Sequence, residues 1–564
     1  MRKPPSENGR RVKRLGLLTL ALAIALSACT RVATTQSGPG TGASGGPAGR
    51  HSWTRPGVLR LASLSDPDNL SPLVGSSQID VDISMFWAGY LFRYDDKNEV
   101  VPELATALPS LANGGISRDG RTITYHLRKG VTWQDGAPFG ADDVKFSWQA
   151  VMNPNNDVAN RSGYDIVASI DTPDQQTAVV HLKRAFAPFV NTFFTMSSTV
   201  YPIYPKHLLA KYPDLNRIPY NSKPIGTGPF IVQEWHRGQT LRMIANPHYW
   251  RGAPKLNEVD YRAIPDENTL TTSMKTHELD LWFNASSANY ATASKIPDTH
   301  ALLTPFTQFS MLAFNVTRPG LSDVAVRRAL ALATDRKHMI DTVTYGVNIL
   351  NEGDQPAFSW AHDASLKQIP FDPAQARAAL DAAGWRPGPD GIRTKNGQRL
   401  HLAFATTTGS AVGNRLAVLM QAAWKDLGVE LEVKQYASAL MLASFGQGGI
   451  LQTGKFDIAS FSWVNGVDPD DSTLFMCDQF PPNGYNQSRF CDHELDAQER
   501  IALASNDEAV RKKAYARVQQ VLVDQLPIIP MWFARRFDIV SDDLKGYKPA
   551  HAVSTLWNPW EYEI

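Results

Sequence analysis

The 564-residue sequence lacks the features that mark several classes of protein. It holds only three cysteines, too few for a disulfide-rich scaffold. Its 56 basic and 55 acidic side chains nearly cancel to a net charge of +1, so no broad basic field is present to attract nucleic acid. Beyond the amino-terminal region, no apolar stretch is long enough to cross a membrane. These absences argue against a nucleic-acid-binding protein and against an integral membrane protein.

Recognisable catalytic motifs are scarce as well. The sequence has no His-Glu-x-x-His zinc motif, and its 13 histidines are dispersed, with no ligand pair at short spacing. Glycine-rich residues 40–46 match a dinucleotide-binding pattern and a serine nucleophile elbow, but no strand precedes them and no helix follows. The sequence therefore predicts no catalytic residue, no metal site and no cofactor.

What the sequence does contain is an export signal at its start. Basic residues within the first 14 positions precede an apolar run, residues 15–25, which is too short to span a bilayer. Leu26-Ser27-Ala28-Cys29 then matches the bacterial lipobox, in which the cysteine is lipidated after cleavage. We predict a signal peptide over residues 1–28 and an extracytoplasmic protein that a lipid on Cys29 anchors to the cell membrane. The alternative is an ordinary secretory signal with an incidental cysteine.

The segment after the anchor, residues 29–50, predicts a flexible tether. It is made almost entirely of small, polar, glycine and proline residues, which bury too little apolar surface to offset the entropy lost on ordering. The remaining residues, 51–564, have the length and apolar fraction of a globular body of two or three domains.

Two cysteines remain once Cys29 is assigned to the anchor. Cys477 and Cys491 are separated by a short loop, and in an oxidising compartment such a pair predicts a disulfide bond. The alternative is a two-thiol metal site, for which Asp492 and His493 are the only further ligands nearby.

Strand and helix patterns are mixed along the body without a repeat, which predicts an α/β fold. Alternating apolar and polar residues indicate strands at residues 121–128 and 177–182. Apolar spacing and helix-end signals predict four prominent helices, at residues 142–152, 323–333, 372–383 and 507–524.

Five sequence blocks carry a resemblance to one family, in the family's order and approximate spacing. The first, LRKGVTWQDGAPFGADDVKFSW, is the most specific. The blocks are residues 127–148, 226–230 (GTGPF), 246–250 (NPHYW), 314–330 (beginning Phe314-Asn315) and 526–530 (LPIIP). On these blocks the chain resembles the family 5 extracellular solute-binding proteins, which are the dipeptide, oligopeptide and nickel receptors of bacterial ABC importers.

The resemblance implies a two-lobed periplasmic-binding-protein fold of class II, with an extra inserted subdomain and a ligand cleft between the lobes. Two crossover strands would join the lobes. The implied segments are lobe I at residues 51–305 and 533–564, the inserted subdomain at 92–216, lobe II at 306–532, and crossover strands near 309–314 and 530–533.

The resemblance also implies a function. The chain would be the substrate-binding lipoprotein of an ABC import system, capturing a small solute, with a peptide as the first candidate, and delivering it to the permease subunits. It would act as a monomer, without nucleic acid and without catalysis. The alternatives are a membrane-anchored envelope enzyme such as a hydrolase, and a chaperone-like binding lipoprotein.

Ligand contacts in lobe II are implied around Trp463 and Asn465. Asn465 lies four positions before Pro469, where peptide receptors place an aspartate against the peptide's amino group. An amide accepts a hydrogen bond from ammonium but cannot neutralise it. Asp468, or either aspartate after Pro469, is a candidate for the missing charge, although a turn rich in Asp and Pro more often caps local backbone.

Three further ligand contacts are implied. Arg415 matches an arginine that grips the ligand carboxylate in dipeptide receptors, a task that suits its planar fork. The alternative is an exposed arginine on a helix. Trp87 and Tyr90 lie where the family lines its cleft in lobe I, and we expect them to stack on the ligand unless they belong to the core.

Overall fold

The computed structural model describes residues 50–75, 77–197, 200–350, 352–367, 369–551 and 553–564. The predicted signal peptide, Cys29 and almost all of the predicted tether lie outside these residues. Residues His51–Ile564 form one compact unit. No helix in the described part of the chain combines the length and apolar character needed to cross a bilayer.

Strands are distributed over the whole body. In chain order they are β1 Val58–Ser63, β2 Phe92–Tyr94, β3 Val100–Pro102, β4 Thr122–His126, β5 Val167–Asp174, β6 Thr177–Leu182, β7 Phe230–His236, β8 Thr240–Ala245, β9 Glu258–Ala263, β10 Leu281–Ala285, β11 Thr299–Phe314, β12 Arg386–Pro387, β13 Arg393–Lys395, β14 Gln398–Arg399, β15 His401–Thr407, β16 Glu430–Tyr436, β17 Ile458–Val464 and β18 Ile528–Ser541.

Helices alternate irregularly with these strands. In chain order they are α1 Gln78–Trp87, α2 Ala141–Met152, α3 Phe189–Thr192, α4 Lys206–Leu209, α5 Glu267–Lys275, α6 Tyr290–Ala293, α7 Val324–Leu332, α8 Arg336–Val343, α9 Pro373–Ala382, α10 Ala411–Lys425, α11 Ser438–Met441, α12 Ile450–Thr453, α13 Ser472–Phe475, α14 His493–Ala504 and α15 Glu508–Gln525.

The predicted helices and strands are confirmed. Helices α2, α7, α9 and α15 correspond to the four predicted segments, and β4 and β6 to the two predicted strands. Aspartates begin three of these helices, where Asp323, Asp372 and Asp507 each accept a hydrogen bond from a first-turn backbone N–H. Such caps satisfy backbone donors that the helix itself leaves unpaired.

One ten-stranded sheet runs through the body, and its two longest strands lie next to each other at its centre. The strand order is β16-β15-β17-β11-β18-β10-β1-β9-β8-β7. The central strands β11 and β18 are antiparallel and pair from Thr299 opposite Ser541 to Ala313 opposite Ile528. Strands β15 to β17 therefore flank this pair on one side, and β10, β1, β9, β8 and β7 on the other.

The crossover strands are longer than the sequence predicts. The predicted segments 309–314 and 530–533 are parts of strands of 16 and 14 residues. Prolines normally argue against a central strand because they lack an N–H donor. Here Pro305 borders the first register break of the β11–β18 ladder and Pro530 borders the second, so neither interrupts a regular stretch.

Separate apolar clusters pack against the two halves of the sheet, on either side of the central strand pair. The larger cluster includes Leu61, Phe86 and Tyr562 and lies on the side of β1 and β7 to β10. A second cluster, which includes Leu330 and Trp424, packs α7, α9 and α10 against β15 and β16. A three-stranded sheet in the order β4-β6-β5 stands apart from the main sheet, within the predicted inserted subdomain.

A disulfide bond joins Cys477 to Cys491, 14 positions later in the chain. The bonded pair links the segment after α13 to the start of α14. Closing a loop of this length restricts the unfolded chain and stabilises the fold by about 3 kcal/mol in the chain-entropy model.

Replacing both cysteines, Cys477→Ser with Cys491→Ser, is expected to lower the free energy of unfolding by about 3 kcal/mol, because the unfolded chain regains that freedom. Urea unfolding of the variant and the wild type measures the difference. Wild type treated with a reductant serves as the matched control and should move towards the variant. Equal stability of all three samples would contradict a structural role for the bond.

Candidate functional site

A large cavity lies between two segments that are far apart in the sequence. Its volume is about 1220 Å³. One wall comes from residues 160–186, within the predicted inserted subdomain, and the other from residues 442–503, within predicted lobe II. A space of this size holds a small organic molecule or a short extended peptide.

The cavity combines an apolar rim with charged groups. Leu442, Phe445 and Tyr485 contribute exposed apolar surface, which is unusual for large side chains in a folded protein. Arg184 is exposed in the same cavity, and its guanidinium lies 5.3 Å from the centre of the Phe186 ring. Aromatic and cationic groups of this kind bind the side chains and carboxylates of organic ligands.

Direct hydrogen bonds join the two walls beside the cavity. The Val467 N–H donates to Ser197 Oγ at 3.1 Å, and Asn191 Nδ2 donates to Asp468 Oδ2 at 3.2 Å. The Ala187 N–H donates to the Leu503 carbonyl at 2.8 Å. These contacts hold the inserted segment against residues 467–503 without a covalent link.

Asn465 is located just beyond β17 and is 2 % exposed. Its backbone N–H donates to the Thr307 carbonyl at 3.2 Å, and its Nδ2 donates to the Asp354 carbonyl at 2.7 Å. Its Oδ1 has no hydrogen-bond donor among the described residues. Asn465 Oδ1 is therefore a buried acceptor beside the crossover strands, with no donor among the described residues.

Asp468 does not carry a free charge. Its carboxylate is paired with both terminal nitrogens of Arg511, at 2.5 and 2.8 Å, and both side chains are buried. Removing one member of a buried pair usually costs 3–5 kcal/mol, which is roughly the cost of leaving the other charge alone. Asp468 therefore holds α15 in place, and its charge is already neutralised by Arg511.

The aspartates after Pro469 have different roles. Asp470 accepts two hydrogen bonds from Ser472, through its N–H and its hydroxyl, and so caps the start of α13. Asp471 is 1 % exposed, and neither of its oxygens has a donor among the described residues. Burial raises its pKa well above the usual range, and repulsion from Asp354 and Glu499 raises it further.

Trp463 is half-buried in β17, opposite Phe309 of β11, and its ring lies 5.2 Å from that of Tyr485. It does not itself line the cavity. Tyr485 does line the cavity, so a ligand there would affect Trp463 only indirectly, through Tyr485.

Trp87 and Tyr90 are both completely buried in the core. Trp87 packs against the turn at Gly226, where an added Cβ would lie 1.9 Å from the Trp87 carbonyl oxygen. Tyr90 shares a hydrogen bond of 2.6 Å with Ser84 Oγ. Neither side chain exposes surface on which a ligand could stack, so the structure gives them a packing role.

Arg415 is exposed on α10 and outside the cavity. Its guanidinium donates to the Tyr345 hydroxyl at 2.6 Å and lies 5.0 Å from the centre of that ring. The structure therefore agrees with the alternative of an exposed arginine on a helix. No other predicted ligand residue lies beside Arg415 among its described contacts.

Sequence reasoning missed the residues that line the cavity. Arg184, Phe445 and Tyr485 stand in loops or short turns that carry no motif, and the two walls meet only in the folded chain. Asp354 was missed for the same reason, because nothing in the sequence places it beside Asn465.

One group of three potential metal ligands is found in the described residues. It consists of Cys477, Cys491 and His493, whose ligand atoms lie within 4.8 Å of one another. Because the disulfide bond occupies both sulfur atoms, the two-thiol metal site is not formed in this structure.

Comparison with known proteins identifies the family. The model for "Bacterial extracellular solute-binding proteins, family 5 Middle" matches residues 99–484, which is more than half of the chain. The chain is a family 5 extracellular solute-binding protein. The predicted resemblance is thus confirmed, and the family is one of binding proteins rather than enzymes.

Relatives of this solute-binding protein cover most of its length. Protein XP55 of Streptomyces lividans is 31 % identical over 481 residues, which are 82 % of this chain and 81 % of that protein. Oligopeptide-binding protein AppA of Bacillus subtilis is 26 % identical over 545 residues, 96 % of each chain.

Solved structures agree on the fold. The structure of AppA from Bacillus subtilis in complex with a nonapeptide matches with a TM-score of 0.72 at 24 % identity, covering 90 % of this chain and 99 % of that one. CtaP from Listeria monocytogenes matches with a TM-score of 0.77 at 23 % identity, covering 90 % and 99 %. The solute-binding protein therefore has the two-lobed α/β fold that its sequence predicts.

The buried carboxyl groups make a prediction about pH. Because burial raises the pKa values of Asp471 and Glu499, the folded protein holds their protons more tightly than the unfolded chain does. This stabilisation is complete below the ordinary carboxyl pKa of about 4 and is lost as the pH rises. Asp471→Asn is therefore expected to raise the melting temperature at pH 8 and to have little effect near pH 4.

Thermal melts of both proteins between pH 4 and pH 8 measure this difference. Asp478→Asn is the matched control, because the Asp478 side chain is 61 % exposed and its removal should change little at any pH. A lower melting temperature for Asp471→Asn throughout the range would show that the Asp471 carboxylate has a stabilising partner.

Proposed function

We propose that this solute-binding protein captures a peptide between its lobes and delivers it to the membrane permease of an ABC importer. The observation that carries this proposal is the cavity of about 1220 Å³, whose walls come from residues 160–186 and 442–503. Relatives include the oligopeptide-binding protein of Bacillus subtilis and di/tripeptide-binding protein 2 of Pseudomonas aeruginosa. A peptide bound in such a cavity offers its backbone and its side chains for contact with both walls.

We propose that lobe I comprises residues 51–305 and 533–564, with the insert at 92–216, and that lobe II comprises residues 306–532. The boundary at 305/306 falls in the first register break of the β11–β18 ladder, where regular pairing stops at Pro305 and resumes at Phe309, and the boundary at 532/533 lies between this break and the second one. Such a break is a natural hinge, since few backbone hydrogen bonds resist bending there.

Capture would then follow from a shift between open and closed forms. A ligand that contacts both walls favours the closed form by its difference in affinity for the two. The hydrogen bonds from Asn191 to Asp468 and from Val467 to Ser197 are of the kind that form on closure and break on release. The permease would recognise the closed form.

The same proposal places the protein outside the cytoplasm as a monomer on the membrane surface. A lipid on Cys29 would hold it there, since each buried CH₂ of an acyl chain contributes about 0.8 kcal/mol. Residues 29–50 would then act as the tether.

Calorimetric titration with alanine peptides of two to nine residues tests the function. We expect saturable one-to-one binding at micromolar concentration, equivalent to about 8 kcal/mol, because the cavity closes around one guest. The melting temperature should rise with peptide concentration. Cleavage of the peptide would favour the hydrolase, and weak binding of many unfolded chains would favour the chaperone.

Substitutions at two arginines distinguish binding in the cavity from binding at the site that the family resemblance implies. Arg184→Ala is expected to weaken a peptide that binds by about 1 kcal/mol or more, because a cation in the cavity would be lost. Arg415→Ala, the matched control, should change affinity by less than about 0.5 kcal/mol, since Arg415 is exposed elsewhere. The same titration measures both variants. If Arg415→Ala weakened binding and Arg184→Ala did not, the ligand carboxylate would be assigned to Arg415 instead.

A further inference from the structure

A short segment of predicted lobe II, residues 438–448, stands at the edge of the cavity, and we call it the flap. It begins with α11 and ends shortly before α12. Among the described residues, the hydrogen bonds of its backbone all stay within residues 437–449. The flap is therefore folded upon itself, and no hydrogen bond of its backbone ties it to the sheet or to the opposite wall in the described part of the chain.

A buried methionine anchors the flap to the body. Met441 is 1 % exposed and belongs to a small apolar cluster with Ile450 and Phe456. At the tip of the flap, a Cβ added to Gly446 or to Gly448 would meet no atom within 4 Å, so the tip is surrounded by open space. A segment with few outward hydrogen bonds and few buried contacts opens at a low cost in free energy. The flap can therefore move while the rest of the wall stays in place.

The flap presents large apolar side chains to the cavity. Leu442 is 63 % exposed and Phe445 is 42 % exposed, and both line the cavity. Apolar side chains in water have not yet gained the free energy that burial releases. Further apolar side chains of the same lining are Ile166, Phe186, Met476, Tyr485 and Leu503. An apolar group placed among them would bury its own surface and that of the flap together.

Several charged groups of the cavity are already engaged within the protein. Arg161 donates to four backbone carbonyls, and Lys183 donates to one at 2.7 Å. Arg500 forms an ion pair within α14, and Asp470 caps the start of α13. A charged side chain of a ligand would compete with these contacts, whereas an apolar side chain displaces only water. The lining therefore favours apolar side chains over charged ones.

We propose that the flap selects peptides that carry a large apolar side chain, and that Leu442 and Phe445 close over this side chain. The inference rests on the proposed function and adds the class of peptide. A bulky apolar side chain of the guest supplies the contact surface that the flap lacks in the empty protein. A side chain as small as that of alanine leaves both flap residues in water.

Calorimetry with matched peptides tests this selectivity. The probes are the alanine peptide that binds wild type most tightly and its variants in which each alanine in turn is replaced by phenylalanine or by glutamate. We expect the best phenylalanine peptide to bind at least about tenfold more tightly than the alanine peptide, because one more aromatic side chain is buried. Every glutamate peptide should gain less. Equal binding of the alanine and phenylalanine peptides, or a gain from glutamate as large as that from phenylalanine, would overturn the proposal.

Substitutions on the flap locate the selectivity. The double variant Leu442→Ser with Phe445→Ser should reduce the gain from phenylalanine to about threefold or less and should leave the affinity for the alanine peptide nearly unchanged. Leu440→Ser is the matched control, because Leu440 is 43 % exposed on the same flap but does not line the cavity. It should keep the wild-type gain. All three side chains are exposed, so both variants are expected to fold. A full gain in the double variant, or an equal loss in Leu440→Ser, would contradict the proposal.

A measurement without peptide separates failure of this inference from failure of the proposed function. Peptide binding with no preference for phenylalanine would leave the peptide function standing and remove the role of the flap. If no peptide binds wild type, the peptide function fails, and the dye 8-anilinonaphthalene-1-sulfonate, which fluoresces at apolar sites, decides whether the flap is an apolar binding surface. We expect its fluorescence to fall about twofold or more in the double variant and to persist in Leu440→Ser. Equal fluorescence in wild type and the double variant would then overturn the apolar site as well.

Discussion

The pairing of β11 with β18 is the constraint on which the rest of the structure depends. These two strands carry the chain between the two halves of a single sheet, and they are hydrogen-bonded to each other along most of their length. Two breaks interrupt their register, a longer one between Pro305 and Phe309 and a shorter one between Ser310 and Met311. Both apolar cores are fixed to this ladder, so any relative movement of the halves must be absorbed near these two breaks.

The fold was largely predictable from the sequence because local signals specify it. Capping aspartates at Asp323, Asp372 and Asp507 and alternation in β6 marked elements that the structure contains. The length of β11 was not predictable, since Pro305 reads as a strand breaker until its partner strand is known. Registers between distant segments depend on tertiary contacts that no local pattern encodes.

The candidate site was predictable only in part. The unusual amide at Asn465 could be read from the sequence, but its buried contact with Asp354 depends on two loops that are 111 positions apart. The resemblance implies ligand contacts for Trp87 and Tyr90 because they lie where the family lines its cleft, but aromatic residues at this spacing suit a core equally well. The complete burial of both side chains favours the core. In the same way, the ion pair with Arg511 favours a structural role for Asp468.

The central claim, a clamp that closes on its guest, is tested most directly by small-angle X-ray scattering of the protein with and without a bound peptide. The account predicts a smaller radius of gyration in the complex, and superimposable scattering profiles from the free and bound protein would contradict it.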